Sequence, residues 1–272
     1  MKYTLLSGAS SDIGQAIAHK LAAQHALILS AKDSQKLQAL KEELPQNFAH
    51  KTLLCDLNDI VNIPSAIYSI LKAPEQTRSD KVRGGGAEDK KGEDKKGDVV
   101  DSQDSQEHSN ITIENFIHCA GEAAFGAIKH FDYMRALESF NVNYFSCCAI
   151  IAALLKKPNH NALKNIILIS SISAIKGYKG TSIYAGAKAG LDSLARSLCA
   201  ELADNININS LQLGPIPTRA NAYLDTSRLC NNTYAQLTPS DVASWVAYLL
   251  ACPHGLNGQN ITLDGGMSIK GA

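Results

Sequence analysis

Tyr3-Thr4-Leu5-Leu6-Ser7-Gly8-Ala9-Ser10-Ser11-Asp12-Ile13-Gly14 is the stretch that decides the fold. Tyr3 to Leu6 reads as a short buried strand. A Gly- and Ser-rich turn follows, then an amphipathic helix with Ile13, Ile17 and Leu21 on one face. Strand, Gly-rich turn and helix in this order form the setting of a dinucleotide-binding βα turn. Gly8 allows the tight turn, and Gly14 lets the helix approach the strand. The amides of Ser10, Ser11, Asp12 and Ile13 then face an anion, with the helix dipole favouring its charge. A plain βα turn using Ser and Asp as N-caps leaves the same signature. Asp12 sits where such loops usually carry a second Gly. Its carboxylate repels a pyrophosphate if it points inward, so it is expected to face solvent or cap the helix.

Outward from this turn, strands and helices alternate. Ala26 to Ser30 is the second strand, and it ends in Ala31 and Lys32. NAD-selective sites place an acid at that point, against the ribose hydroxyls. No acid is there, and Lys32 can pair with a 2′-phosphate, so NADP is expected, with NAD possible. Asp33 reads as the N-cap of a helix over 34–43. The third strand, Lys51 to Cys55, ends in Asp56-Leu57. Asp56 can accept from an adenine amino group or cap the next helix. Ile111 to Ile117 resumes the strand pattern and ends in His118-Cys119-Ala120-Gly121, whose small residues leave room over the strand end. Adjacent strand residues point to opposite faces, so His118 and Cys119 read as packing and not as a nucleophile pair.

Asp132 to Lys157 reads as a helix with Asn141 and Asn143 in its middle. Asn is a poor interior helix residue unless its side chain or a local kink is used. Ala162 to Ile169 is a strand running into Ser170-Ser171, where a hydroxyl faces the ligand crevice of an open sheet. Ile206 to Leu213 is the next strand, closed by Gly214-Pro215-Ile216-Pro217-Thr218. A helix over Pro239 to Leu250 and a strand over Gln259 to Leu263 complete the chain, before Asp264-Gly265-Gly266. This alternation predicts one doubly wound parallel α/β sheet across a single domain, residues 1–272.

One segment breaks the pattern. Within residues 74–110 the unit Glu-Asp-Lys-Lys-Gly occurs twice, at 88–92 and 93–97, and large apolar residues are nearly absent. Such a segment cannot bury enough surface to offset ordering entropy, so it is expected to be a disordered charged insertion. The whole chain of 272 residues is 45% apolar and 19% charged with net charge zero, which implies no general affinity for nucleic acid or an anionic membrane. Seven Cys without a CxxC pair, and no signal peptide, point to a reduced, cytoplasmic setting. The sequons at Asn110, Asn231 and Asn260 are then accidental. No uninterrupted apolar run reaches about 18 residues, so no membrane span is expected.

Tyr184-Ala185-Gly186-Ala187-Lys188 lies in a helical pattern. Tyr184 and Lys188 are one turn apart and share a face. An ammonium beside a phenol favours the phenolate, so the Tyr184 pKa is expected to fall from about 10. Such a Tyr can trade a proton with a substrate oxygen near neutral pH.

Together these residues resemble the short-chain dehydrogenase/reductase family, in particular single-domain reductases similar to 3-oxoacyl-acyl-carrier-protein reductases. The likeness covers the whole chain except 74–110. Ser7-Gly8-x-x-x-x-Ile13-Gly14 resembles the family's cofactor loop, Asp56 its adenine-contacting acid, and Ala120-Gly121 the end of its Asn-Asn-Ala-Gly motif. Ser171 stands 13 residues before Tyr184, the family's spacing for its catalytic Ser; Ser170 is one residue too early. Gly214 and Thr218 resemble a Pro-Gly-x-x-x-Thr loop that holds the nicotinamide carboxamide, with Ile216 between them. Departures are Asp12 for Gly, His118-Cys119 for Asn-Asn, Leu213 for Pro, and Ser11 where NADP-using members often carry a basic residue.

The resemblance implies a Rossmann-type, three-layer fold of about seven strands and a tetrad of Asn143, Ser171, Tyr184 and Lys188. Tyr184 would be the proton donor or acceptor. Lys188 would tune it and hold the ribose, Ser171 would orient the substrate oxygen, and Asn143 would anchor a water leading to Lys188. Gly8, Ser10, Ser11, Asp12, Ile13, Gly14, Lys32, Asp56, Leu57, Ala120, Gly121, Gly214, Ile216 and Thr218 would line the cofactor, with Tyr184 and Lys188. The implied activity is hydride transfer between NADP(H) and a small-molecule carbonyl or secondary alcohol, by a homodimer or homotetramer. A catalytically silent NAD(P)-binding regulator of the same fold is the alternative. Substrate choice in this family rests on the loop here spanning Arg219 to Gln236.

Overall fold

The computed structural model describes residues 1–73, 111–219, 236–252 and 255–269. The insertion at 74–110 lies outside the described residues, as does most of the expected substrate loop.

Seven parallel strands form one sheet: β1 (Lys2–Ser7), β2 (Ala26–Ala31), β3 (Lys51–Leu54), β4 (Thr112–His118), β5 (Asn165–Ser171), β6 (Asn207–Leu213) and β7 (Asn260–Leu263). Their order is β3-β2-β1-β4-β5-β6-β7. The order reverses between β1 and β4, so the switch point of the sheet lies at the C-terminal ends of these two strands, where open α/β sheets bind ligands. The register puts Ser7 beside His118, fixing the two loops that flank the crevice.

Strand side chains alternate between two cores. Leu5, Ile28, Phe116, Ile166, Leu168 and Ile208 face one side, under α3 (Ile63–Lys72), α5 (Ser146–Leu154) and α6 (Ser182–Leu202). Leu6, Leu29, Ile117, Ile167, Ile169 and Leu211 face the other, under α1 (Asp12–Leu21), α2 (Ser34–Glu43) and α7 (Pro239–Ala251). Strands buried on both faces explain the near-continuous apolar runs.

The helix expected over 132–157 is interrupted. It runs as α4 (Tyr133–Phe140), a five-residue π turn (Asn141–Phe145) and α5. The wide turn falls on the two Asn residues, the device by which these residues are accommodated inside a helix. By length and composition alone Tyr133–Leu154 is apolar enough to cross a membrane, although polar residues interrupt its apolar run. In the fold its apolar face, with Cys147, Ile150, Ile151 and Leu154, is buried in the core.

Candidate active site

The turn after β1 is built on close approach. Gly8 has φ +72, and a Cβ there would lie 2.6 Å from the Ala120 backbone. Gly14 stands against Gly8, where a Cβ would meet the Gly8 carbonyl oxygen at 2.2 Å. Both positions exclude side chains, so the ends of β1, β4 and α1 converge. Ser11 caps α1: its hydroxyl accepts from the Gly14 amide at 3.0 Å and donates to the Gly8 carbonyl at 2.8 Å. Ser10 and Ile13 are half-buried beside it. Asp12 takes neither of the orientations expected from the sequence. Its carboxylate accepts from the backbone N–H and the Nε–H of Arg219.

A cavity of about 410 Å³ lies off the ends of β2 and β3, lined by Lys32, Asp56, Asp59 and Asn62 among others. Asp56 holds a turn there, its Oδ1 accepting from the Asn58 amide at 2.9 Å. Leu57 does not line this cavity; it is 8% exposed and packs in the core.

The residues of the implied tetrad converge at the ends of β4 and β5. Ser171 ends β5, where its hydroxyl accepts from the Ser173 amide at 3.1 Å, and it acts electrostatically on the phenol of half-buried Tyr184, favouring the phenolate. Ser170 is turned away, its hydroxyl donating to the Lys188 carbonyl. Lys188 is 3% exposed; its Nζ donates to the Ile169 carbonyl at 2.8 Å and lies 5.8 Å from the Tyr184 ring centroid. Phe125 meets the Tyr184 ring edge-on, at 5.6 Å between centroids.

Asn143 sits inside the π turn, fully buried. Its amide nitrogen donates to the carbonyls of Glu122 and Ser139, each at 2.8 Å, tying the loop after β4 to the helix. Its Oδ1 is buried without a hydrogen-bond partner. A Cβ on Gly121 would lie 3.2 Å from both Asn143 Oδ1 and Lys188 Nζ. The bare Gly121 thus keeps open a polar spot between an unpaired acceptor and a buried ammonium.

Burial governs the protonation states. It pushes the Tyr184 phenol above its ordinary value, against the lowering effect of the Ser171 hydroxyl. This corrects the expected fall: Lys188 is turned to the Ile169 carbonyl and does not dominate the phenol. Burial also lowers Lys188 to about 8, opposed by Cys119, Cys147 and Asp192. His118 is held down at about 3 by burial and by Lys188. Its Nδ1 pairs with the Ser7 hydroxyl at 2.8 Å, and its Nε2 faces the Val142 and Asn143 carbonyls without closing a hydrogen bond of normal geometry. Cys119 is pushed up to about 11 by burial, against the Ser11 hydroxyl and Lys188.

Gly214 packs against Asp264, where a Cβ would come within 3.0 Å. Ile216 is in the core, and Thr218 is half-buried. Three contributors were not foreseen from the sequence: Asp192, Phe125 and the Asp12–Arg219 pair. Asp192 lies one turn beyond Lys188, and its oxygens accept from Ser210 at 2.8 Å and Gln212 at 2.6 Å on β6. Its spacing from Lys188 was legible; its partners, far away in sequence, were not.

Comparison with known proteins agrees with this geometry. Residues 95–268 match a family model described as enoyl-(acyl carrier protein) reductase. The chain is 25% identical to the 3-oxoacyl-(acyl-carrier-protein) reductase FabG of Rickettsia bellii, over 97% of this chain and 95% of that one. It is likewise 25% identical to carbonyl reductase family member 4 of Danio rerio, over 98% of each chain. Among solved structures, a gluconate 5-dehydrogenase from Burkholderia cenocepacia in complex with NADP and tartrate superposes with a TM-score of 0.76 at 19% identity, covering 98% of this chain and 95% of that one. The family model spans more than half of the chain, from β4 to the loop after β7, and the same fold recurs over nearly its full length. The chain therefore belongs to the short-chain dehydrogenase/reductase family and is an NAD(P)-dependent oxidoreductase.

Proposed function

We propose that the protein transfers hydride between NADP(H) and a small-molecule carbonyl or secondary alcohol, with Tyr184 as general acid and base. One observation carries the reading: buried Lys188 holds its Nζ 5.8 Å from the Tyr184 ring centroid, and the Ser171 hydroxyl at the end of β5 acts on the same phenol.

The residues present fit a dinucleotide. Gly8 and Gly14 let the ends of β1, β4 and α1 converge at the switch point of the sheet, and Gly121 leaves room between Asn143 Oδ1 and Lys188 Nζ. The cavity holding Lys32 and Asp56 suits an adenosine end, and the cation at Lys32 supports NADP over NAD. When bound, the cofactor supplies or accepts the hydride. The chain's own residues handle the proton and the charge. The Ser171 hydroxyl orients the substrate oxygen and stabilises charge on it. Tyr184 Oη gives its proton to that oxygen in reduction and takes one back in oxidation. A raised phenol pKa keeps Tyr184 protonated at neutral pH, the state a donor needs. Lys188 stabilises the phenolate once the proton has left, and with the cofactor bound its ammonium would hold the ribose. Asn143 holds the Glu122 loop in place and offers Oδ1 toward the Lys188 side of the site.

Exposed Tyr133, Met134 and Phe145 on α4 and the π turn, with Trp245 and Tyr248 on α7, support a homodimer or homotetramer. The described cysteines are all free, which supports a cytoplasmic setting.

Tyr184→Phe tests the reading. The variant should lose turnover by about three orders of magnitude on a ketone panel with NADPH, with its melting temperature and NADPH affinity retained. Undiminished turnover would refute the role of Tyr184.

A further inference from the structure

Asp12 is the residue of the β1 turn that suits an anion site least. It opens α1, where backbone amides and the helix dipole favour a negative ligand. A bare carboxylate there would compete with the ligand for the same amides. The structure shows it otherwise engaged: one oxygen accepts the Arg219 Nε–H and the other the Arg219 backbone N–H. The pairing spans 207 positions and joins the β1 turn to the chain just beyond Thr218. The two partners are unequally covered, with the Asp12 side chain 20% and the Arg219 side chain 72% exposed. The acid is tucked under and the cation faces outward.

Resting on the cofactor reading above, we propose that Asp12 is a holder for Arg219, which thereby presents its guanidinium to the pyrophosphate of the bound dinucleotide. The carboxylate takes Nε–H, while Nη1 and Nη2 carry the other donors of the fork, a geometry suited to phosphate oxygens. The acid in the loop is neutralised by its own partner, and the anion meets the cation first. Asp12 and Arg219 thus act as a pair: the Arg contributes the charge, and the Asp fixes where that charge stands. The target is the diphosphate bridge shared by both nicotinamide dinucleotides, not the 2′-phosphate that separates them.

The test is a fluorescence titration of the full chain with NADPH and with NADH. It compares wild type, Arg219→Ala, Arg219→Lys, Asp12→Gly and the double variant Asp12→Gly/Arg219→Ala. Arg219→Ala should weaken both cofactors by about tenfold or more and to the same degree, because it removes a phosphate donor and unmasks a carboxylate. Arg219→Lys should fall between it and wild type. Removing the acid as well should recover about threefold or more of the loss, a non-additivity that a simple surface charge would not give. Unfolding of the cofactor-free variants supplies a second readout, in which the Asp12 and Arg219 substitutions should be coupled. Binding by Arg219→Ala within about twofold of wild type would overturn the proposal, as would loss confined to NADPH or no recovery in the double variant. Wild-type protein that binds neither cofactor would sink the cofactor reading itself, while coupling in the cofactor-free melts would still show the ion pair.

Discussion

At the scale of single residues, burial sets what each group near Lys188 can do. His118 takes the place of an Asn in the family motif and is wholly buried against Ser7. Its folded pKa of about 3 lies below the ordinary 6.5, so the unfolded chain binds a proton that the folded chain does not. Its contribution to stability is present above the unfolded value and is lost as pH falls through 6.5 toward about 3. His25 and His50, also lowered by burial, act with the same sign. His118→Asn can keep a polar partner for Ser7 and should flatten the acid limb of the stability curve; denaturant melts of both proteins across this range would show it. Lys188 makes a separate prediction. With its ammonium at about 8 in the cofactor-free protein, NADPH affinity should decline as pH rises through that value. Lys188→Met should bind weakly and lose that slope, as titrations at stepped pH would reveal.

At the scale of elements, α6 matters through three residues set on one side at successive turns. Tyr184 and Lys188 face the crevice, while Asp192 is buried against β6. Asp192 accepts from both Ser210 and Gln212, so it fixes the rotation of α6 and with it the aim of Tyr184. Asp192→Ala leaves the Gln212 amide without its acceptor and should cost about 2 kcal/mol in denaturant unfolding. It should also lower turnover, since Tyr184 depends on the helix for its place. The α4–α5 segment works in a related way. The π turn puts Asn143 at the level of Glu122, so one side chain joins a helix interior to the loop after β4. Periodicity marked this helix, and the two Asn residues in its middle pointed to a side-chain role or a local kink. Neither could say that the outcome would be a widened turn, because that depends on the loop arriving from another strand.

At the scale of the whole molecule, the sheet order decides where chemistry can occur. The β1 and β4 ends meet at the reversal of strand order, and β5 delivers Ser171 alongside. Among the described residues, the seven strands and the candidate site are all built from outside 74–110. Replacing residues 76–108 by a short Gly-Ser link should therefore leave the melting temperature within about 3 °C and turnover within about twofold. A melting scan and a single steady-state assay suffice, and a large loss in either would give the segment a role in folding or activity.

The sequence by itself determined the fold class and the order in which the strands appear, because local periodicity and turn chemistry are encoded by neighbouring residues. Its resemblance to the family nominated Ser171, Tyr184 and Lys188. The tertiary structure alone decided which partners those residues meet. It turned Lys188 to the Ile169 carbonyl, raised Tyr184 by burial, anchored Asp192 on β6 and paired Asp12 with Arg219. Each of these depends on a group brought close by the folding of distant strands, and on the low dielectric it enters there.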